Sequence, residues 1–304
     1  MTSDEPVDQP PEDSGGLGLG TLPLRFAITY TFIYMLPFPL SALGVVDAIP
    51  GVENSFVSRA IQSLVGLHER LTAPMVAVIG RTLTGQDISM EITGSSDTLA
   101  CYCDFLLDVV LALVVTLIWW AWRRSQPVSP QVIEVNRVLV RYLLFVVLVS
   151  YGVVKVFPGG QFGPVTPTRL LSTYGDSSPM GLLWTFMGAS TAYSMFGGLL
   201  EVVGGMLLLF RRTTLLGSLV VAGVMANVFA LNLCYDVPVK LFSFHLLALA
   251  LFLTVPDMGR LYALFVANKA VPRRDQGPPW ELSPRARSGL LALKYVYDDG
   301  CGWG

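Results

Sequence analysis

Long stretches without charge alternate along the chain with short stretches where charge is concentrated. No charged residue falls between Arg25 and Asp47, and Phe105 to Trp122 is interrupted only by Asp108. Tyr142 to Val154 is apolar between Arg141 and Lys155. Ser177 to Phe210 carries Glu201 as its single charge, Thr213 to Tyr235 carries none, and Leu241 to Pro256 has only His245 as a titratable group. Such runs predict helices that cross a bilayer, because backbone polar groups in lipid must be satisfied within their own segment. The pattern predicts an all-α polytopic membrane protein with about six spans, near 25–46, 104–122, 138–157, 190–210, 214–234 and 239–256. The alternating ten-residue segments of a β-barrel are absent. Six such runs in one chain argue against buried helices of a soluble core.

The connections are informative too. In the loop 50–103, Ala60, Ile61, Leu64, Val65 and Leu67 fall at helical spacing and predict an interfacial helix, ended by His68, Glu69 and Arg70. Met75 to Ile79 forms a second apolar patch. Residues 158–189 hold two Pro-Gly clusters, followed by Gly181 to Ser190 with Trp184 and Phe186. This segment reads as a packed cover over the bundle in preference to a substrate lid. Residues 1–22 are acidic and rich in Pro and Gly, the pattern of a disordered tail, without the features of a cleaved signal peptide. Residues 271–281 read as a linker. Ser283 and Pro284 suit the start of a short helix that would lay Leu290, Leu291, Leu293 and Val296 on the inner leaflet.

Composition sharpens this picture. Hydrophobic residues make up 53% and charged residues 14%, where a soluble domain carries about 25% charged. Mean hydropathy is +0.58. The exterior is therefore expected to face lipid. A net charge of −2 offers no basic surface for nucleic acid. Lys and Arg are unevenly distributed. Twelve fall on the segments that share a side with the N-terminus, against Arg59, Arg70, Arg81 and Arg169 on the other. The positive-inside rule then predicts both termini in the cytoplasm and a home in the plasma (inner) membrane. Arg137, Arg141, Lys155 and Lys240 sit at span ends, where long cationic side chains can snorkel.

Within the spans, polar groups are few. Glu201 lies ten residues before Arg211, about 15 Å at 1.5 Å per residue, near the middle of a roughly 30 Å core. A carboxylate there must be neutral, paired or hydrated. It reads either as a proton-carrying or ligand-binding group, or as a protonated side chain bonded to a neighbouring helix. His245 reaches a similar depth, so a Glu201–His245 pair is one expectation. Gly197, Gly198, Gly204 and Gly205 surround Glu201 and suit close helix packing. Asn227 adds a further intramembrane polar group. At the outer rim, Lys155, Asp176, Asp236 and Lys240 form a polar cluster, with Asp236 and Lys240 placed to pair across the Val237–Pro238 turn. Cys101 or Cys103 could bridge to Cys234, or act in thiol exchange; membrane-edge cysteines with no shared role are the alternative. With only His68 and His245 and no zinc spacing, no metal site is expected. A nucleophile elbow, a Walker pattern and an H-E-x-x-H pair are absent.

The stretch Gly197-Gly198-Leu199-Leu200-Glu201-Val202-Val203-Gly204-Gly205-Met206, followed by Arg211-Arg212-Thr213-Thr214-Leu215-Leu216-Gly217, resembles the DoxX-like membrane family. Further marks of a long bacterial subgroup with extra N-terminal spans are Tyr151-Gly152 with Lys155, Tyr174-Gly175-Asp176-Ser177-Ser178-Pro179, Trp184-Thr185-Phe186-Met187-Gly188 and Tyr235-Asp236-Val237-Pro238-Val239-Lys240. The resemblance implies a four-helix membrane domain over 137–268. It would be preceded by a two-span extension over 23–136 and followed by a cytoplasmic tail over 269–304. It also implies a redox-linked membrane subunit, with quinone as the implied cofactor and other membrane or redox proteins as partners. The competing expectations are a structural or assembly subunit without catalysis, and a small-molecule or proton transporter.

Overall fold

The computed structural model describes residues 21–38, 56–88, 95–123, 126–157 and 159–271. The acidic tail, the end of the expected first span, the C-terminal linker and helix, and Cys301 lie outside the described residues. Among the described residues the chain is helical, with no strand. The helices are α1 (Leu22–Met35), α2 (Phe56–Thr84), α3 (Leu99–Arg123), α4 (Pro130–Val156), α5 (Pro167–Leu171), α6 (Pro179–Gly188), α7 (Thr191–Leu209), α8 (Thr214–Cys234), α9 (Lys240–Thr254) and α10 (Met258–Phe265). Among the described residues, five stretches are long and apolar enough to cross a membrane: α3, α4, α7, α8 with its leading turn from Arg211, and α9 continued through α10. This is a multi-pass helical membrane protein.

α1 is shorter than the charge-free run around it. Leu36 precedes Pro37, whose ring disfavours helical backbone at the preceding residue. Leu36 is accordingly extended, with φ −61° and ψ 138°. α1 therefore ends at Met35. The two apolar patches of the 50–103 loop belong to one helix, α2, which continues through Pro74.

α4, α7, α8 and α9 pack around one core, in which Val140, Leu144, Leu148, Leu208, Val221, Met225, Leu246, Leu249, Ala250 and Leu253 are buried together with Met35 of α1. α2 lies on α3 through Val76, Cys103 and Leu107. Polar side chains tie the helices where apolar packing alone would let them slide. Asn136 of α4 hydrogen-bonds Thr31 of α1 at 2.8 Å, and Thr254 of α9 donates to Ser218 of α8 at 3.2 Å.

Two buried arginines close helix ends. Arg25, fully buried, donates to the carbonyls of Trp119 and Arg123 at the end of α3 and of Gln126 just beyond it. Arg141 donates to those of Leu208 and Leu209 at the end of α7, both at 2.8 Å. Terminal carbonyls lack intrahelical partners and carry partial negative charge, so each guanidinium is held inside the bundle. This corrects the expectation that Arg141 snorkels. At the opposite end, Asp97 accepts from the backbone N–H of Lys240 at 2.8 Å and of Leu241 at 2.9 Å, capping α9. That contact clasps the 95–98 segment onto the α8–α9 turn.

Candidate functional site

The site begins with two glycines. α4 and α7 run antiparallel and meet at Gly152 and Gly198, where a Cβ on either would lie 2.6 Å from the carbonyl oxygen of the other. Gly205 repeats the close approach further along, against Leu148 and Val149. Such contact between backbones requires glycine. Three residues after each of the first two comes a charge: Lys155 after Gly152, Glu201 after Gly198. A Cβ at Gly198 would lie 2.8 Å from that of Lys155, so the lysine starts over Gly198 and its stem runs along α7 to Glu201. Lys155 Nζ donates to Glu201 Oε1 at 2.5 Å, with side-chain exposures of 11% and 3%. An ion pair this dry needs its remaining polar atoms satisfied to offset desolvation.

One of them is not. Glu201 Oε2 is buried without a hydrogen-bond partner, and Glu201 lines a cavity of about 550 Å³ between α4, α7, α8 and α9. α6 and the segment before α5 roof the cavity through Leu183, Trp184 and Phe162, with the Phe162 and Trp184 rings edge to face at 5.2 Å. Gln161 also lines it, and its Oε1 is a second buried acceptor without a partner. The walls are mostly apolar and aromatic, with Tyr151, Phe196 and Phe242 among them, and Asn227 and Asn232 add amides. Asn232 donates to Ser243 Oγ at 3.0 Å. The space combines an apolar body with few fixed polar groups, the usual make-up of a small-molecule site.

An uncharacterized protein of Bacillus subtilis (strain 168), YwoB, is 34% identical over 115 residues, covering 38% of this chain and 72% of that protein. The chain belongs to the YwoB family. No family model matches it, and no solved structure does.

The arrangement differs from the sequence expectations in four respects. Glu201 pairs with Lys155 and not with His245. The His245 ring points to the other side of α9, where Nδ1 bonds the Leu241 carbonyl at 2.7 Å and Nε2 meets the Tyr30 hydroxyl at 2.5 Å. A carbonyl only accepts, so Nδ1 carries the proton and Nε2 accepts from Tyr30. Tyr34 stacks on the ring at 4.1 Å. His245 is held as a structural hub between α9, α1 and α3. Second, the expected rim cluster is dispersed. Lys155 turns inward to Glu201, where the desolvated carboxylate outweighs the solvent interface. Asp176 accepts from its neighbour Thr173 at 2.5 Å. Asp236 and Lys240 do pair, at 2.8 Å, and Lys240 also faces Asp97 at 3.6 Å. Third, Cys101, Cys103 and Cys234 are free thiols, which departs from the bridge alone and not from thiol exchange or from cysteines with no shared role; Cys103 is buried against Val76 and Leu107, while Cys234 is exposed. Fourth, the segment 181–190 is largely the helix α6 and covers a cavity, so the packed cover is also the roof of the site. Asn227 lines the same cavity as Glu201, and His245 does not.

Sequence reasoning missed Gln161, which sits in a Pro-Gly stretch with no periodic signal. It also missed Lys155 as the partner of Glu201, although the equal spacing of Gly152-x-x-Lys155 and Gly198-x-x-Glu201 was available to suggest it.

Proposed function

We propose that this YwoB-family protein binds a lipophilic, hydrogen-bond-donating small molecule of the quinol class, acting as a redox-linked subunit of the plasma membrane. In this reading six spans place both termini in the cytoplasm, and the cavity lies in the outer half of the bundle. The observation that carries it is the pair of buried, unpartnered acceptors, Glu201 Oε2 and Gln161 Oε1, on one mostly apolar cavity. Leaving a buried acceptor unbonded costs about 1–3 kcal/mol, which a ligand with two hydroxyl groups on a flat ring would recover. The cavity volume of about 550 Å³ suits a ring of that size, within the roughly 300–1,000 Å³ of small-molecule sites. Trp184, Phe162 and Phe242 supply faces for the ring. Lys155 Nζ fixes Glu201 as an acceptor and keeps donors of its own for a ring oxygen. The resemblance to the DoxX-like family supports a redox setting.

The test is a titration of the purified protein in nanodiscs with a short-tailed naphthoquinol and its oxidised form, followed by tryptophan fluorescence. Saturable binding is expected, tighter for the quinol. Hydrogen bonds to charged groups contribute about 1.5–3 kcal/mol, so Glu201→Gln should weaken quinol binding roughly 10- to 100-fold. Absence of saturable binding, or equal affinity in Glu201→Gln, would refute the assignment.

A further inference from the structure

We infer that the cavity is filled sideways from the bilayer, through a slot between α7 and α8 whose lips are Gly197 on α7 and Gly223 and Asn227 on α8. This rests on the cavity being a ligand site, and it specifies a ligand dissolved in the membrane and not one arriving from the aqueous side.

The two helices are locked together at one end only. A Cβ at Gly204 would meet Val221 at 2.9 Å and Val220 at 3.3 Å, and one at Gly217 would meet Leu207 at 3.0 Å. Residues seven apart fall on the same helix face. Gly197, seven before Gly204, therefore points the same way, yet has nothing within 4 Å. On α8, Gly223 lies three residues after Val220 and likewise has nothing within 4 Å. Asn227, seven after Val220, is exposed. The helices thus touch at Gly204 and Gly217 and diverge beyond, and Gly197, Gly223 and Asn227 all line the cavity at that divergence.

Three other sides of the cavity are covered. The Phe162–Trp184 contact and Leu183 roof it. Tyr151 and Phe242, with ring centroids 5.8 Å apart, bridge α4 and α9. Gly152 and Gly198 bring α4 and α7 into backbone contact. Asn227 supplies a further argument. It stands thirteen residues past Thr214, about 20 Å along the helix, so its exposed amide lies at hydrocarbon depth. A polar side chain at that depth is expensive unless it faces a cavity or a partner. At the lip it can meet the polar ring of an arriving ligand, which then moves on to Glu201, whose side chain is 3% exposed and carries the unpartnered Oε2.

The experiment needs no quinol, so its failure is distinct from failure of the binding assignment. The protein is reconstituted in nanodiscs whose phosphatidylcholine chains are brominated at mid-chain, a quencher of nearby tryptophan. The Trp184 contribution is taken as the difference between wild type and Trp184→Phe. Acyl chains reaching the slot are expected to quench Trp184, and Gly197→Leu with Gly223→Leu, which both project into open space, should remove at least half of that quenching. Trp184 unquenched in the wild type would overturn the slot, and that measurement does not depend on the double variant folding. Quenching that the double variant leaves unchanged would overturn its placement between α7 and α8.

Discussion

Lys155→Met, with Glu201 left in place, is expected to destabilise the protein by about 3–5 kcal/mol, the range for removing one member of a buried ion pair. The carboxylate is 3% exposed and its second oxygen already lacks a partner, so the variant leaves it without its counter-ion, to stay charged at a high desolvation cost or to take up a proton. Glu201→Gln should cost less. Lys155 stands next to the last residue of α4, and its long stem allows the ammonium to swing towards the membrane surface. The double variant Lys155→Met with Glu201→Leu should recover most of the stability, because replacing both members of a buried pair by apolar groups is often neutral. It should still fail to bind quinol. Chemical denaturation in detergent micelles reads the stabilities. A double variant as unstable as Lys155→Met would show that the loss comes from packing and not from the missing counter-ion.

The second large effect distinguishes two adjacent glycines. Gly198→Ala places a methyl group 2.6 Å from the Gly152 carbonyl and 2.8 Å from Lys155 Cβ. α4 and α7 must then move apart, which costs about 1–3 kcal/mol or more and pulls Lys155 away from Glu201. Gly197→Ala meets nothing within 4 Å and replaces glycine in a helix interior, so it should be neutral or stabilise by up to about 1 kcal/mol. Thermal unfolding of both variants checks the opposite signs. Equal behaviour of the two would contradict backbone contact at Gly198.

The same contact shows what could be read from the residues alone. Helical spans follow from run length, and the glycines around Glu201 already indicated close packing. Depth along a span also followed, since rise per residue is fixed. Direction around the helix did not. Glu201 and His245 lie at similar depth, which made them a plausible pair, but His245 faces Tyr30 and Tyr34 while Glu201 faces α4. The helix-ending effect of Pro37 was visible in the chain and was masked by the charge-free run through it. Cys101, Cys103 and Cys234 fall at span ends expected on one side of the membrane, yet Cys103 is a core residue between α2 and α3, and side-sharing says nothing of distance. The cavity could not be foreseen, because it arises from the splay between α7 and α8 and from a roof, α6, that begins after an irregular Pro-Gly connection.

In the proposed complex a ligand hydroxyl donates to the free oxygen of Glu201, and infrared difference spectroscopy, quinol-bound minus free, reads that bond. A shifted carboxyl band is expected on binding to the wild type and should be missing in Glu201→Gln. Quinol binding that leaves the same difference spectrum in both proteins would contradict it.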